Sequence, residues 1–475
     1  MKIKVTEATY EEAMREAVKE YRNPPNSSLL LRTLVRLYSI PELRSVGFTY
    51  TKEGMERLGR KEPCLILMNH SSFIDLEIAS RILYPKPFHI VCTSDGFVGK
   101  EDIMRRLGCI PTKKFVAEMR LLRDMRYALE TCRSSVLMYP EASYSFDGTA
   151  TPLPESLGKC LKLLKVPVVT ILTEGAFARD PLYNNLQKRK VKVSAKVKYL
   201  LSPEDIAERS AEELNKILKK EFTFDNFRWQ QENHVRISEQ FRADFLNRVL
   251  YKCPHCLTEG QMEGKGTTLT CRACGERYVL TEYGSLEHVM PSHASSDAGS
   301  LKHVNSPHGN SDARKDAEPA PPDDMCTLSE KSQAGIFTHI PDWYRWEREC
   351  VREELQNGTY HLEVPVEIYM LTNLKILYRV GEGALTHTED GFHLIGCGGA
   401  LDYRQKPLAS YSLYSDYYWY EIGDMICIGN SDALYYCFPK NSGDIVAKTR
   451  LAAEELYKIK KEEKKSKNSA IIGIL

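Results

Sequence analysis

An excess of charge of either sign is missing from this chain of 475 residues: 65 Lys and Arg stand against 64 Asp and Glu, a formal net charge of +1. That balance excludes a uniformly basic surface, so any attraction to nucleic acid or acidic lipid has to come from local patches. Also missing is a run of ~20 apolar residues, the length a spanning helix needs. The opening stretch, Met1 to Tyr21, lacks the basic start and apolar core of a secretory signal and reads as a polar amphipathic helix. Paired cysteines are scarce. Most of the 14 stand singly (Cys64, Cys92, Cys109, Cys132, Cys160, Cys350, Cys397, Cys427), as free thiols do in a reducing compartment. The expectation is a cytoplasmic chain that can sit peripherally on the inner face of a membrane.

What is present suits a globular protein: 42% of residues are hydrophobic and 27% charged, enough to bury a core, and the length suggests about three domains. From Glu62 to Leu201 short apolar runs alternate with helical periodicity. Strands are expected at Cys64–Met68, Phe88–Cys92, Val136–Tyr139 and Val166–Leu172, and helices at Asp75–Leu83, Ala117–Cys132 and Glu155–Lys165. This alternation predicts an α/β domain with a mixed, largely parallel sheet flanked by helices. Lys190 to Leu200 alternates Val and Lys, which predicts an edge strand with one wet face. Ser202-Pro203-Glu204-Asp205 carries helix-starting chemistry. Ser285 to about Gln333 is rich in Ser, Pro, His, Asp and Gly, as a disordered linker is. A helix at Asp342–Glu354 precedes mostly antiparallel strands over Tyr360–Phe438, with turns at Glu382-Gly383 and Asn430-Ser431-Asp432, and a helix from Gly443 to about Lys461 closes the unit.

The chemistry gathers in the first domain. The expected strand Cys64–Met68 runs into Asn69-His70-Ser71-Ser72-Phe73-Ile74-Asp75. Inside one regular helix, His70 and Asp75 would lie roughly 140° apart. They meet only if His70 precedes the helix and Asp75 stands in its first turn. An Asp bonded to one imidazole nitrogen leaves the other as a general base. A second strand ends in Pro140-Glu141-Ala142-Ser143 and delivers a carboxylate to the same end of the sheet if the two strands are parallel neighbours.

Four blocks in this order resemble the lysophosphatidate/glycerol-phosphate acyltransferase (PlsC-type) superfamily: Asn69-His70 through Asp75, Gly108 through Lys114, Pro140-Glu141-Ala142-Ser143, and Val166-Pro167-Val168-Val169. The resemblance implies transfer of an acyl group from acyl-CoA or an acyl-carrier protein to a hydroxyl of a (lyso)glycerolipid or related acceptor, without an acyl-enzyme. His70 and Asp75 would be catalytic, and Asn69, Lys113, Lys114, Glu141 and Ser143 would meet substrate. Two departures bear on the acceptor. The family's third block continues Gly-Thr-Arg, whereas Ala142, Ser143 and Tyr144 stand here, and none neutralises a phosphate. Its second block ends in Arg, whereas Lys113 and Lys114 lack the bidentate fork.

Two Cys-x2-Cys knuckles, Cys253/Cys256 and Cys271/Cys274, are separated by 14 residues and match a structural zinc site, so the segment resembles a zinc ribbon. The units expected are an acyltransferase-like domain over 1–250, the ribbon over 251–284, the linker over 285–335, a β-rich, PH-like domain over 336–465 and a tail over 466–475. Leu29 to Tyr38 suits an interfacial helix with snorkelling Arg32 and Arg36, or a helix docking its apolar face on the domain. Two other functions fit parts of the pattern. One is a lipid-binding scaffold that kept the fold without the chemistry. The other is a nucleic-acid-associated ribbon protein, which the mixed charge and missing aromatic interleaving of the ribbon argue against.

Overall fold

The computed structural model describes residues 3–17, 21–116, 118–289, 336–440 and 444–472. β1 (Val5–Glu7) opens the chain. The α/β region then supplies β2 (Thr49–Glu53), β3 (Leu65–Met68), β4 (Phe88–Thr93), β5 (Cys109–Thr112), β6 (Ser135–Met138), β7 (Val168–Glu174) and β8 (Ser194–Leu201). Their order across the sheet is β2-β8-β7-β3-β6-β4-β5. The five strands β7, β3, β6, β4 and β5 are parallel neighbours, and β8 runs against β7. All four residues of β3 are buried. Leu65 and Leu67 enter one core and Ile66 and Met68 the other, as a strand covered by helices on both faces requires. Helices Asp75–Leu83, Met119–Glu130 and Ser156–Leu164 supply apolar residues to these cores. β3 therefore ends between β7 and β6, with all three opening on one edge.

Several expectations need correction. β8 is not an edge strand: β2 pairs along it and takes the outer position. Thr49–Glu53 is mostly exposed and polar, so it carries no apolar signal. Met1 to Tyr21 is not one helix, because β1 precedes a short helix, Tyr10–Arg15, and β1 pairs with the C-terminal sheet, Val5 opposite Leu377. The helix at Leu29–Ser45 turns its leucines outward: Leu30 is 69% exposed and Leu29, Leu34, Leu37 and Tyr38 are exposed too. Arg32 faces the domain instead and donates to the Pro85 carbonyl at 2.9 Å.

The cysteine region folds as β9 (Met262–Lys265), β10 (Thr268–Cys271), β11 (Arg277–Leu280) and β12 (Leu286–Val289), all antiparallel. The start of the expected linker is thus a strand, and the rest of it, from 290, lies outside the described residues. The ribbon packs on helix Ile340–Gln356, whose fully buried Trp343 lies 4.8 Å from the Tyr278 ring and donates to the Lys252 carbonyl.

The C-terminal unit contains β13 (Leu362–Leu371), β14 (Leu377–Thr388), β15 (Gly391–Gly396), β16 (Leu401–Gln405), β17 (Tyr414–Trp419), β18 (Gly423–Gly429) and β19 (Leu434–Pro439). Its order is β16-β15-β14-β13-β19-β18-β17, with β1 beside β14. Glu382-Gly383, expected as a turn, lies inside β14, paired with Glu367 and Val366 of β13. Helix Ile445–Ile472 runs into the stretch expected to be a tail.

This unit is fastened to the edge of the α/β sheet. Asp95, buried just past β4, accepts from the Tyr414 hydroxyl at 2.9 Å and the Trp419 indole at 3.1 Å. Arg248 pairs with Asp424 at 3.1 Å, and Lys448 ties the unit to the cysteine region through Glu259 at 2.7 Å. Tyr414→Phe removes one donor from a buried carboxylate. It should lower stability by ~1–3 kcal/mol in denaturant unfolding; an unchanged midpoint would show that this contact does not fasten the two units.

Candidate active site

The parallel strands deliver their next residues to one place. Asn69, following β3, accepts from the Thr173 amide at 2.8 Å and its hydroxyl at 3.1 Å, and donates to the Thr173 carbonyl at 3.2 Å. Asn69 is therefore a staple between the ends of β3 and β7 and offers nothing to a substrate. Its amide also donates to Ser71. His70 lies in the turn before helix Asp75–Leu83, and Asp75 is the first residue of that helix.

One oxygen of Asp75, Oδ2, lies 3.1 Å from His70 Nδ1 and accepts from the Ser71 and Ser72 amides at 2.9 and 3.1 Å. The other, Oδ1, is buried without a partner among the described residues. Three donors on one oxygen fix the imidazole with Nδ1 toward Asp75. Burial pushes the Asp75 carboxyl up to about 7, although the two serine amides pull against it. Burial, and then the nearby Lys114 ammonium, hold His70 well below the usual imidazole range, so it stays uncharged. Its side chain is only 16% exposed. Two rings stack on it, Tyr139 at 4.1 Å and Tyr144 at 3.9 Å between centroids.

Glu141 is buried, and its oxygens are taken by the His70 amide at 3.0 Å and by the amide and hydroxyl of Thr151 at 3.0 and 3.2 Å. Burial raises it to about 7 against those donors. With both oxygens occupied, Glu141 holds the backbone of His70 and is not a free carboxylate. Ala142 follows at φ 57°, a left-handed conformation costing roughly 1–2 kcal/mol outside glycine. Ser143 is buried and accepts at 2.9 Å from Arg450, a residue of the C-terminal helix.

The lysines face the C-terminal unit. Lys113 donates to the carbonyls of Ser431 and, at 3.5 Å, Asn430. Lys114 lies 4.3 Å over the Tyr414 ring, and burial lowers its ammonium's pKa. It lines a cavity of about 430 Å³ whose other walls include Tyr403, Ser410, Ser412, Tyr414 and Asn430.

Sequence reasoning missed Tyr139, Tyr144, Asp180 and Arg450. Asp180 accepts from the Ser72 hydroxyl and from Arg179 at 2.7 Å, and Arg179 also meets Glu42 of helix Leu29–Ser45. None of these has a spacing that points to His70. Tyr144 alone had a signal, since it stands where the third block expected an arginine.

Away from this site, the sulfurs of Cys253, Cys256, Cys271 and Cys274 lie within 4.8 Å of one another, with Cys253–Cys274 and Cys256–Cys271 both at 3.7 Å. Zn–S bonds of ~2.3 Å in a tetrahedron require sulfurs ~3.8 Å apart, so the cluster fits a metal ion such as zinc. Four thiolates would close the coordination shell of such an ion. Elemental analysis of the purified chain should find about one ion per chain. Cys253→Ser should lose it and lower the melting temperature; a metal-free protein of the same stability would remove the site.

Residues 49–174 match the family model described as Acyltransferase. No curated protein matches the chain in sequence. Among solved structures it is similar to the crystal structure of the 1-acyl-sn-glycerophosphate (LPA) acyltransferase PlsC from Thermotoga maritima. That likeness has 16% identity and a TM-score of 0.34, over 40% of this chain and 76% of that one. The stretch that contains His70, Asp75, Lys113, Lys114, Glu141 and Ser143 is thus, by its family model, an acyltransferase domain spanning residues 49–174.

Proposed function

We propose that the chain is an O-acyltransferase that moves a fatty acyl group from a thioester, acyl-CoA or acyl-carrier protein, to a hydroxyl of a (lyso)glycerolipid or related polar acceptor. The observation that carries this reading is an uncharged imidazole whose Nδ1 is fixed by Asp75. Nε2 of His70 takes the acceptor's proton as its oxygen bonds to the thioester carbonyl carbon. The C–S bond then breaks, and the departing thiolate receives that proton. Asp75 orients the ring and stabilises the imidazolium in between. The cysteine cluster holds structural zinc in this reading.

The rings of Tyr139 and Tyr144 on both faces of His70 favour one other reading, a lipid-binding scaffold without catalysis. An assay with labelled acyl-CoA and acyl-carrier donors against a panel of lipid acceptors separates the two. His70→Ala should lower turnover by about 10²- to 10⁴-fold; product that does not depend on His70 would reject the mechanism. Because His70 stays uncharged, the acid side of the rate profile belongs to the two carboxyls that hold it, Asp75 and Glu141, each raised to about 7 by burial. The rate should therefore rise as pH passes through about 7, and Asp75→Asn should change that limb and remove much of the rate.

An acyl chain has to reach this site from a bilayer or a carrier. Among the described residues no helix is long and apolar enough to cross a membrane. The outward leucines of helix Leu29–Ser45 and exposed Leu76 and Phe73 support peripheral contact, and the Phe73 ring lies 5.7 Å from Tyr144 at the site. Burying such a face in an interface is favourable. Wild type should float with liposomes, and the double change Leu30→Asp/Leu34→Asp should abolish flotation; retention would mean that this helix is not the anchor.

A further inference from the structure

We infer that Arg450, on helix Ile445–Ile472, is a positioning residue for the reaction proposed above. It holds the Ser143–Tyr144 turn and thereby keeps the Tyr144 ring on His70. The inference rests on that functional reading for its consequence in turnover, but its geometry is independent of it.

The turn needs holding. It follows Ala142, which occupies the left-handed region without being glycine, so the local chain does not favour this conformation. Within the turn the Ser143 hydroxyl has only a long contact, 3.4 Å to the Tyr144 carbonyl. Arg450 reaches it from more than 300 positions away in sequence: one terminal nitrogen donates to Ser143 Oγ at 2.9 Å and the other lies 3.5 Å from the Tyr144 carbonyl. Tyr144 is then stacked on His70 at 3.9 Å.

Arg450 is itself held rigidly. It is buried, its guanidinium lies 4.3 Å from the Phe146 ring, and its Nε donates to Glu454 at 3.2 Å. Glu454 also meets Arg348 at 2.7 Å and accepts from Ser412 at 2.6 Å. All three nitrogens of Arg450 therefore face protein acceptors. That arrangement does not replace the arginine missing from the third block as a grip on substrate. It fits a clamp on the turn where that arginine would have stood.

The test compares Arg450→Met and Arg450→Lys in the full chain, each with and without Ala142→Gly. Four quantities are read: turnover, KM for the acyl donor, amide exchange over 142–146, and the ring-proton resonance of His70, which two stacked tyrosines displace. Arg450→Met should speed exchange over 142–146, move the His70 resonance, and lower kcat on the order of tenfold with KM for the donor unchanged. Ala142→Gly, which relieves the left-handed strain, should restore much of the exchange protection and turnover. Lysine keeps a charge for Glu454 but cannot span Ser143 and Tyr144, so it should fall between.

Unchanged exchange and resonance in Arg450→Met would overturn the inference. So would full recovery by lysine, since neutralising Glu454 would then suffice. If Arg450→Met does not fold, the lysine variant with and without Ala142→Gly carries the same comparison. A wild type that transfers no acyl group but shows the expected exchange and resonance changes would reject the functional reading and leave the clamp standing.

Discussion

Carboxyl groups buried at the end of a sheet have to be given donors, and the architecture around His70 follows from that requirement. An unpaired carboxylate away from water is expensive, so each must be bonded, neutralised or both. Asp75 takes the serine amides that begin its own helix. Glu141 takes the His70 amide and Thr151. Asp180 takes Ser72 and Arg179. Asp95 takes donors from β17, far along the chain. The turn that carries His70 is thus shaped by acids collecting amides, and His70 is set where these bonds leave it. Burial at the same edge also holds the imidazole well below its usual range and so favours its uncharged form.

One of those acids, Asp95, is satisfied from the C-terminal unit, and further bonds tie that unit to the same edge of the α/β region. Tyr414 and Trp419 from β17 reach Asp95, Lys113 reaches the turn between β18 and β19, and Arg450 reaches Ser143. Behind this contact lies a buried ionic cluster. Burial works against Glu454, but Arg348 and Arg450 outweigh it and bring its carboxyl down to about 2, while Arg348 and Arg352 also hold Glu455 at 3.0 Å. Breaking one member of such a cluster leaves an uncompensated buried charge. The C-terminal unit is therefore part of the wall of the site, and its geometry is transmitted to the turn through a few bonds.

How much of this could be read from the residues depended on whether the cause was local. The parallel core was legible because Leu65–Met68 and Val136–Met138 are continuous apolar runs and Val168–Leu172 is broken only by Thr170, as suits strands covered on both faces. The meeting of His70 and Asp75 was legible because a strand-to-helix turn is the one local geometry that brings that spacing together. β2 was not, because Thr49–Glu53 is polar and is a strand only through its pairing with β8. Helix Leu29–Ser45 was legible as a helix but not in its facing, since the same stripe of leucines serves a core or an interface. Arg450 was invisible, and Tyr144 showed only as a departure from the third block, for a deeper reason: each acts on a residue that the fold alone makes its neighbour.

That distinction bears on the third block. Read alone, Ala142-Ser143-Tyr144 is an eroded motif, with a side chain where glycine eases the turn and an aromatic ring where a guanidinium was expected. In the fold these substitutions form a set. The strained alanine needs an external hold, the serine hydroxyl supplies an acceptor for it, and the tyrosine ring covers one face of the imidazole. An arginine in place of Tyr144 would bring a third cation beside Arg450 and Lys114 and uncover His70. The residues that depart from the resembled pattern are therefore consistent with a site reorganised around the C-terminal unit, where the arginine missing from the third block is matched by contacts that the motif alone does not register.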